Sequence, residues 1–120
     1  MKKTLYGIPN CDTVKKARTW LLHNGIEFTF HDFKKQGLEP ATVAAWLDQL
    51  DWEVLVNRKG TTWRKLPEER RAGIVDKNSA LALMLEQPSV IKRPVLAGAG
   101  ALQVGFSADK YAQIFSAPAA

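Results

Sequence analysis

The stretch "TLYGIPNCDTVKKARTWLLHNGIEFTFHDF", residues 4–33, decides the fold. Thr4 to Gly7 is short, apolar and closed by Pro9 and Asn10, which reads as a strand that stops just before Cys11. From Asp12 to Asn24, the apolar residues Val14, Ala17 and Leu21 recur at helical spacing with Trp20 and Leu22 beside them. Lys15, Lys16 and Arg18 fall elsewhere on the helical surface, and Asn24-Gly25 supplies the stop. Ile26, Phe28 and Phe30 then alternate with Glu27, Thr29 and His31, the two-residue period of a half-buried strand. The unit is strand, helix, strand, and such a crossover makes its two strands parallel neighbours or near neighbours.

Beyond this unit the period changes. Between Glu39 and Gln87 the pattern is helical, with Val43, Trp46, Leu47 and Leu50 on one apolar face and "SALALML" from Ser79 forming another that Pro88 ends. Pro67 followed by Glu68 and Glu69 predicts a helix start, with proline at the first helical position and acids where the dipole favours them. After this insertion, "RPVLAG" and "ALQVGF" predict two short strands joined by a turn at Gly98 to Gly100. Ser107 caps a last helix carrying Tyr111, Ile114 and Phe115, and the terminal "SAPAA" has nothing to bury, so fraying is expected there. The sheet therefore has at least four strands. No internal repeat and no long linker divide the chain.

The gross numbers agree with one folded domain. At 120 residues, with 46% hydrophobic and 24% charged residues, the chain can bury a real core without staples. One cysteine cannot close an internal disulfide, so a reducing compartment is expected. The apolar run after Lys2 and Lys3 is broken at once by Pro9, Asn10 and Asp12, which predicts no export signal. No stretch approaches the roughly 18 apolar residues of a membrane span. A cytoplasmic location follows as the expectation. The net charge of +5 permits an anionic partner, but no basic block stands out, so nucleic acid is not the expected one.

Cys11 sits where the first strand turns into the first helix. Amides in a first helical turn lack intrahelical partners and the dipole there is positive, so both favour a thiolate. Helix N-termini with nearby cations bring cysteine from about 8.5 into the range of roughly 3.5 to 7.5. The amides of Asp12, Thr13 and Val14 would also bind an anion or a carboxylate, and the Asp12 side chain opposes this unless it turns away. Free cysteines are equally among the most often buried side chains, so position alone leaves a purely structural role open. His23 and His31 lack ligand spacing and read as ordinary surface or strand-end residues, and no metal is expected.

Four stretches make a further connection: "YGIPNCDTVKKA", "LVNRKGTTWRKL", "SALALMLEQPSVIKRPVL" and "ALQVGF". In this order, over nearly the whole chain, they resemble the ArsC/Spx family of thioredoxin-fold proteins, and within it the YffB branch of glutathione-dependent thiol reductases. The resemblance implies an α/β fold: a thioredoxin-like mixed four-stranded sheet with flanking helices, formed by about 1–38 and 89–116, with a helical insertion at about 39–88. It makes Cys11 the nucleophile, and it assigns Asn10, Asp12, Thr13, Val14, Arg58, Arg93 and Pro94 to glutathione or oxyanion binding. Pro94 matches the cis-proline that faces the active-site cysteine in that fold. An arginine fork suits bidentate contact with a carboxylate, arsenate or phosphate. Read from the residues alone, Arg58 is a solvated helix-end cation, Arg93 an edge charge and Trp63 packing inside the insertion.

Two departures from the family pattern narrow the expectation. Arsenate reductases carry a third arginine after the last strand, where this chain has "GFS" and Phe106. Spx regulators carry a Cys-x-x-Cys switch, where this chain has Val14 in the fourth position, so an internal switch is impossible. With one thiol, turnover requires a second from solution, and glutathione is the abundant cytosolic candidate. The expected function is therefore a monothiol thiol-disulfide reductase, acting on a small-molecule or protein disulfide with glutathione as co-substrate, with no bound cofactor and as a monomer. The alternatives are arsenate reduction and non-catalytic, Spx-like docking on RNA polymerase.

Overall fold

Why each element begins and ends where it does can be followed along the backbone of a computed structural model, which describes residues 2–116. Strand β1 (Thr4–Gly7) leads through a turn at Pro9 and Asn10 into α1 (Asp12–His23). Helix α1 stops at Asn24, whose side-chain amide donates to the Trp20 carbonyl at 2.8 Å. Gly25, with φ +66°, takes the left-handed conformation that ends helices.

Strand β2 (Thr29–Asp32) is shorter than the alternation from Ile26 predicts. The reason is local: the Ile26 N–H still donates to the Leu21 carbonyl, at 3.0 Å, and pairing with the first strand starts only when the Thr29 N–H reaches the Lys3 carbonyl, at 2.9 Å. From there β1 and β2 run parallel in the register Thr4 with Thr29, Leu5 with Phe30, Tyr6 with His31 and Gly7 with Asp32.

The chain then passes through α2 (Phe33–Gln36), α3 (Pro40–Gln49), α4 (Trp52–Leu55), α5 (Thr61–Arg64), α6 (Glu68–Ala72) and α7 (Lys77–Glu86). Pro88 ends α7 and opens a 3-10 turn, Pro88–Val90. The expected position of Pro67 requires a correction, because α6 starts at Glu68 and Pro67 is its cap. The Pro67 carbonyl accepts from the N–H groups of Arg70 and Arg71, the task of a capping residue with extended backbone. Leu50, placed on the apolar face of α3, is instead its half-buried C-cap in extended conformation.

Strands β3 (Val95–Ala97) and β4 (Gln103–Val104) follow, both shorter than their sequence patterns, and α8 (Ala108–Ser116) closes the described residues. The Lys110 N–H donates to Ser107 Oγ at 3.1 Å, which is the expected cap. All of "SAPAA" but the backbone of Ser116 lies outside the described residues. The sheet order is β2-β1-β3-β4, with β3 antiparallel to both β1 and β4, so the sheet is mixed as the resemblance implies.

The chain divides into two compact units, one made of residues up to Phe33 and from Arg93 onward, the other of Lys34–Lys92. In the first, Leu5 and Leu96 from the sheet meet Ala17 and Leu21 of α1 and Tyr111 of α8, all with no solvent exposure. Trp20, Phe106 and Phe115 surround Tyr111, and the Phe106 ring meets it edge-on with centroids 4.7 Å apart. In the second unit, Val43, Trp46 and Leu47 of α3 are buried where that helix packs on α7, which buries Ala80, Leu83 and Met84. Leu55, Val56, Val90 and Ile91 are buried where a Val56–Ile91 bridge joins the segment after α4 to the end of the 3-10 turn. Among the described residues no helix is long and apolar enough to cross a membrane.

Candidate active site

Cys11 is held at the corner between β1 and α1 by close packing on either side of it. A Cβ added at Gly7 would lie 2.8 Å from Val14 Cγ2, nearer than packed atoms approach, so glycine there lets the first turn of α1 press against the end of β1. Val14 is wholly buried in that contact. Between them, Cys11 is the N-cap residue of α1 with extended backbone (φ −96°, ψ 125°), and its carbonyl accepts from the Lys15 N–H at 2.9 Å. Its side chain is half-buried and outside any disulfide among the described residues.

Opposing effects act on that sulfur. Partial burial, the largest single one, pushes the thiol up, because a thiolate loses solvation. Against it act the Val14 N–H, a hydrogen bond from the Arg93 side chain, the Thr13 N–H and the Arg93 charge, and their sum holds Cys11 below the ordinary cysteine value. The approach of the two amides is electrostatic rather than a strictly aligned cap, since the thiol makes no capping hydrogen bond of good geometry. Asp12, exposed at the first helical position, is not among the groups that set the sulfur's protonation.

The structure thus brings Cys11, Thr13, Val14 and Arg93 together. Arg93 reaches the corner because it precedes β3, the strand beside β1, and the Arg93–Pro94 peptide bond is cis with Pro94 buried. Asn10 is exposed in the turn before the cysteine. Arg58 belongs to the second unit, where its guanidinium donates to Glu53 Oε2 at 3.0 Å and lies over the Trp52 ring, 5.4 Å from the centroid. Trp63 is half-buried in α5. Phe106, where the resemblance to arsenate reductases would place a third arginine, packs its ring edge-on against Tyr111.

Sequence reasoning passed over one ring pair. Tyr6 and His31, opposite each other in the β1–β2 register, have centroids 5.0 Å apart, and burial pushes the Tyr6 hydroxyl up. The signal was in the sequence only as two separate positions, since register is a tertiary fact. Among the described residues no group of three or more His, Cys, Asp or Glu side chains is placed to hold a metal ion.

A half-buried thiol drawn toward its thiolate by two amides and a guanidinium has the chemistry to attack sulfur or another soft electrophile. Comparison with known proteins gives the family. The ArsC family model matches residues 6–114. The chain is similar to a solved YffB protein, with 45% identity and a TM-score of 0.89 over 94% of this chain and 98% of that one. It is also similar to an arsenate reductase (ArsC) related protein from Brucella melitensis, 52% identical with a TM-score of 0.75 over 98% of this chain and 97% of that one. Among curated proteins it is similar to an uncharacterised protein of Haemophilus influenzae, 42% identical over 113 residues, covering 94% of this chain and 98% of that protein. At greater distance it is similar to the global transcriptional regulator Spx 1 of Lactococcus lactis, 27% identical over 111 residues, covering 88% of this chain and 83% of that protein.

Proposed function

This chain belongs to the ArsC family, and from that premise we propose that it is a thiol-disulfide reductase whose single nucleophile, Cys11, is resolved by glutathione. The observation that carries the reading is the placement of a half-buried thiol as N-cap of α1, where the Val14 N–H, the Arg93 side chain and the Thr13 N–H favour its thiolate against the cost of burial.

The cycle has two exchanges. In the first, the Cys11 thiolate attacks the glutathionyl sulfur of a mixed disulfide. A bond forms between the two sulfurs, the old disulfide bond breaks, and the substrate thiolate leaves and takes a proton from water. In the second, a glutathione thiolate attacks the Cys11–glutathione disulfide, releasing oxidised glutathione and regenerating the Cys11 thiolate. Two electrons pass from glutathione to the substrate disulfide, and the protein ends as it began.

In this reading the Thr13 and Val14 amides and the Arg93 guanidinium stabilise the sulfur's charge as it leaves, and they receive the peptide-like groups of glutathione. Asn10, Asp12 and Pro94 border the tripeptide, and Arg58 enters as a second carboxylate binder on the family resemblance alone. Arsenate reduction is less well supported, because the third arginine's place is taken by Phe106 and its packing on Tyr111.

The test is mass spectrometry of wild type and Cys11→Ser after exposure to oxidised glutathione, alongside turnover of a glutathionylated peptide with reduced glutathione. Wild type gains one glutathione adduct and turns over, and the serine variant does neither. Equal adduct formation or equal turnover in the variant removes Cys11 from the reaction. Wild-type turnover of arsenate at rates matching the disulfide would shift the reading to oxyanion reduction.

A further inference from the structure

One cavity of the first unit lies away from Cys11. It is a half-open groove of about 800 Å³ in the first unit, running from the C-terminal half of α1 to the edge strand β2. Its α1 wall is Arg18 and Leu22, seven and eleven residues after Cys11, so at 1.5 Å per residue it lies roughly 10 to 16 Å along the helix from the sulfur. A small disulfide bound at Cys11 does not reach it.

The groove has an unusual balance. Its walls are apolar at Leu22, Phe28 and Phe30, with Leu22 67% exposed. Lys2, Lys3 and Arg18 stand over these side chains, and Glu27 is the only acid lining it. Among the described residues none of the three cations is ion-paired, although Arg18 is half-buried with its guanidinium 4.2 Å from the Phe30 ring centroid. In the helical unit, by contrast, Arg58, Arg70 and Lys77 each hold a carboxylate. Unpaired cations above apolar side chains complement a partner that is both anionic and apolar.

The backbone narrows the partner further. Among the described residues β2 is an edge strand, pairing only with β1. Since the Thr29 N–H donates to the carbonyl of Lys3, just before β1, strand alternation turns the N–H and C=O of Phe30 to the outer side, where an extended peptide can add as a further strand. A half-open groove beside a sheet edge suits such a segment, whereas a fatty acyl chain would remain exposed along one side.

We propose that this groove binds an extended peptide segment of a partner protein in which the residues facing the groove, every second one along the strand, are in turn acidic and apolar. The apolar side chains rest on Phe28, Phe30 and Leu22, and the acids meet Lys2, Lys3 and Arg18. The site is separate from Cys11 and stands whether or not the thiol reaction does.

The test is a ¹⁵N NMR titration of the full chain with the capped peptide valine-serine-glutamate-serine-valine-serine-glutamate, whose valines and glutamates share one face of an extended strand. The amides of Lys2, Lys3, Arg18 and Phe28 to Phe30 should shift together. Arg18→Glu should weaken binding about tenfold, as should raising salt from about 0.05 to about 0.5 M, because the attraction is partly between exposed charges. Leu22→Ser, at an exposed position that folding tolerates, should also weaken it, and Cys11→Ser should leave it unchanged. The proposal is overturned if those amides do not move, if a lysine–valine peptide binds equally well, or if Arg18→Glu has no effect. It is equally overturned if decanoate occupies the groove while the peptide does not, or if the same amides shift with protein concentration alone, which would make a second copy the occupant.

Discussion

Arg93 contributes twice to the sulfur of Cys11, once through a hydrogen bond and once through its charge, while burial pulls the other way. The rate of alkylation by iodoacetamide should therefore titrate with a midpoint below the ordinary cysteine value of about 8.5. Arg93→Ala removes both contributions and leaves the burial, so its midpoint should rise. Arg93→Lys, which keeps a charge without the fork, should fall between the two. An unchanged midpoint in Arg93→Ala would mean that the amides of Val14 and Thr13 suffice. A second residue tests the aromatic core. Tyr111 is wholly buried and its hydroxyl has no hydrogen-bond partner among the described residues, so burial pushes its pKa far up. Tyr111→Phe should be neutral or stabilising by about 1 kcal/mol in urea denaturation, since it removes an unsatisfied polar atom and keeps the ring contacts.

Two contacts at the scale of elements have consequences for whole segments. Gly7→Ala places a methyl 2.8 Å from Val14 Cγ2, with both sides of the contact buried. The first turn of α1 must then move away from β1, at a cost of about 1 to 3 kcal/mol. Because the Val14 N–H moves with it, Cys11 alkylation at neutral pH should slow in the same variant, which denaturation and kinetics together would detect. Helix α7 begins with a reciprocal cap: Asp76 Oδ1 accepts from the Ser79 N–H at 2.8 Å, and Ser79 Oγ accepts from the Asp76 N–H at 3.1 Å. The Ser79 hydrogen bonds hold the Asp76 carboxyl below its ordinary range. A depressed folded pKa contributes stability above the unfolded value, about 3.9, and loses it as pH falls through the folded one. Asp76→Asn retains a capping oxygen without the titrating charge, so it should be less stable than wild type at neutral pH and lose less stability as pH falls. Denaturation at pH 7 and below pH 3 compares them.

On the scale of the whole molecule, the strand-helix-strand unit was legible because each of its elements has a period of its own. Thr4–Gly7 and Asp12–His23 fall where apolar spacing and the Pro-Asn break put them. The shortened ends of β2, β3 and β4 were not legible, because a strand extends only as far as its neighbour offers hydrogen-bond partners, and that depends on register. Leu96, central in β3 and wholly buried against α1 and α8, shows how the distant segments depend on one another. Leu96→Ala should cost about 2 to 5 kcal/mol and lower the denaturation midpoint, since the closed sheet face cannot collapse into the space. In the candidate site, Cys11 and its helix amides were readable from local sequence, whereas the Tyr6–His31 pair and the cationic groove became visible only when the strands were laid side by side.

Local sequence by itself determined the corner: a strand, a break, one thiol and a helix whose first amides lack partners, all within residues 4–23, where periodicity and turn chemistry act over a few residues. Only the tertiary structure decided which cation attends the sulfur, because Arg93 comes to Cys11 by the pairing of β3 with β1 across more than half the chain. It also decided that Phe106 is spent on packing and that Lys2, Lys3 and Arg18 share one groove. Charges act through space, and sequence separation carries no information about that distance until the sheet is formed.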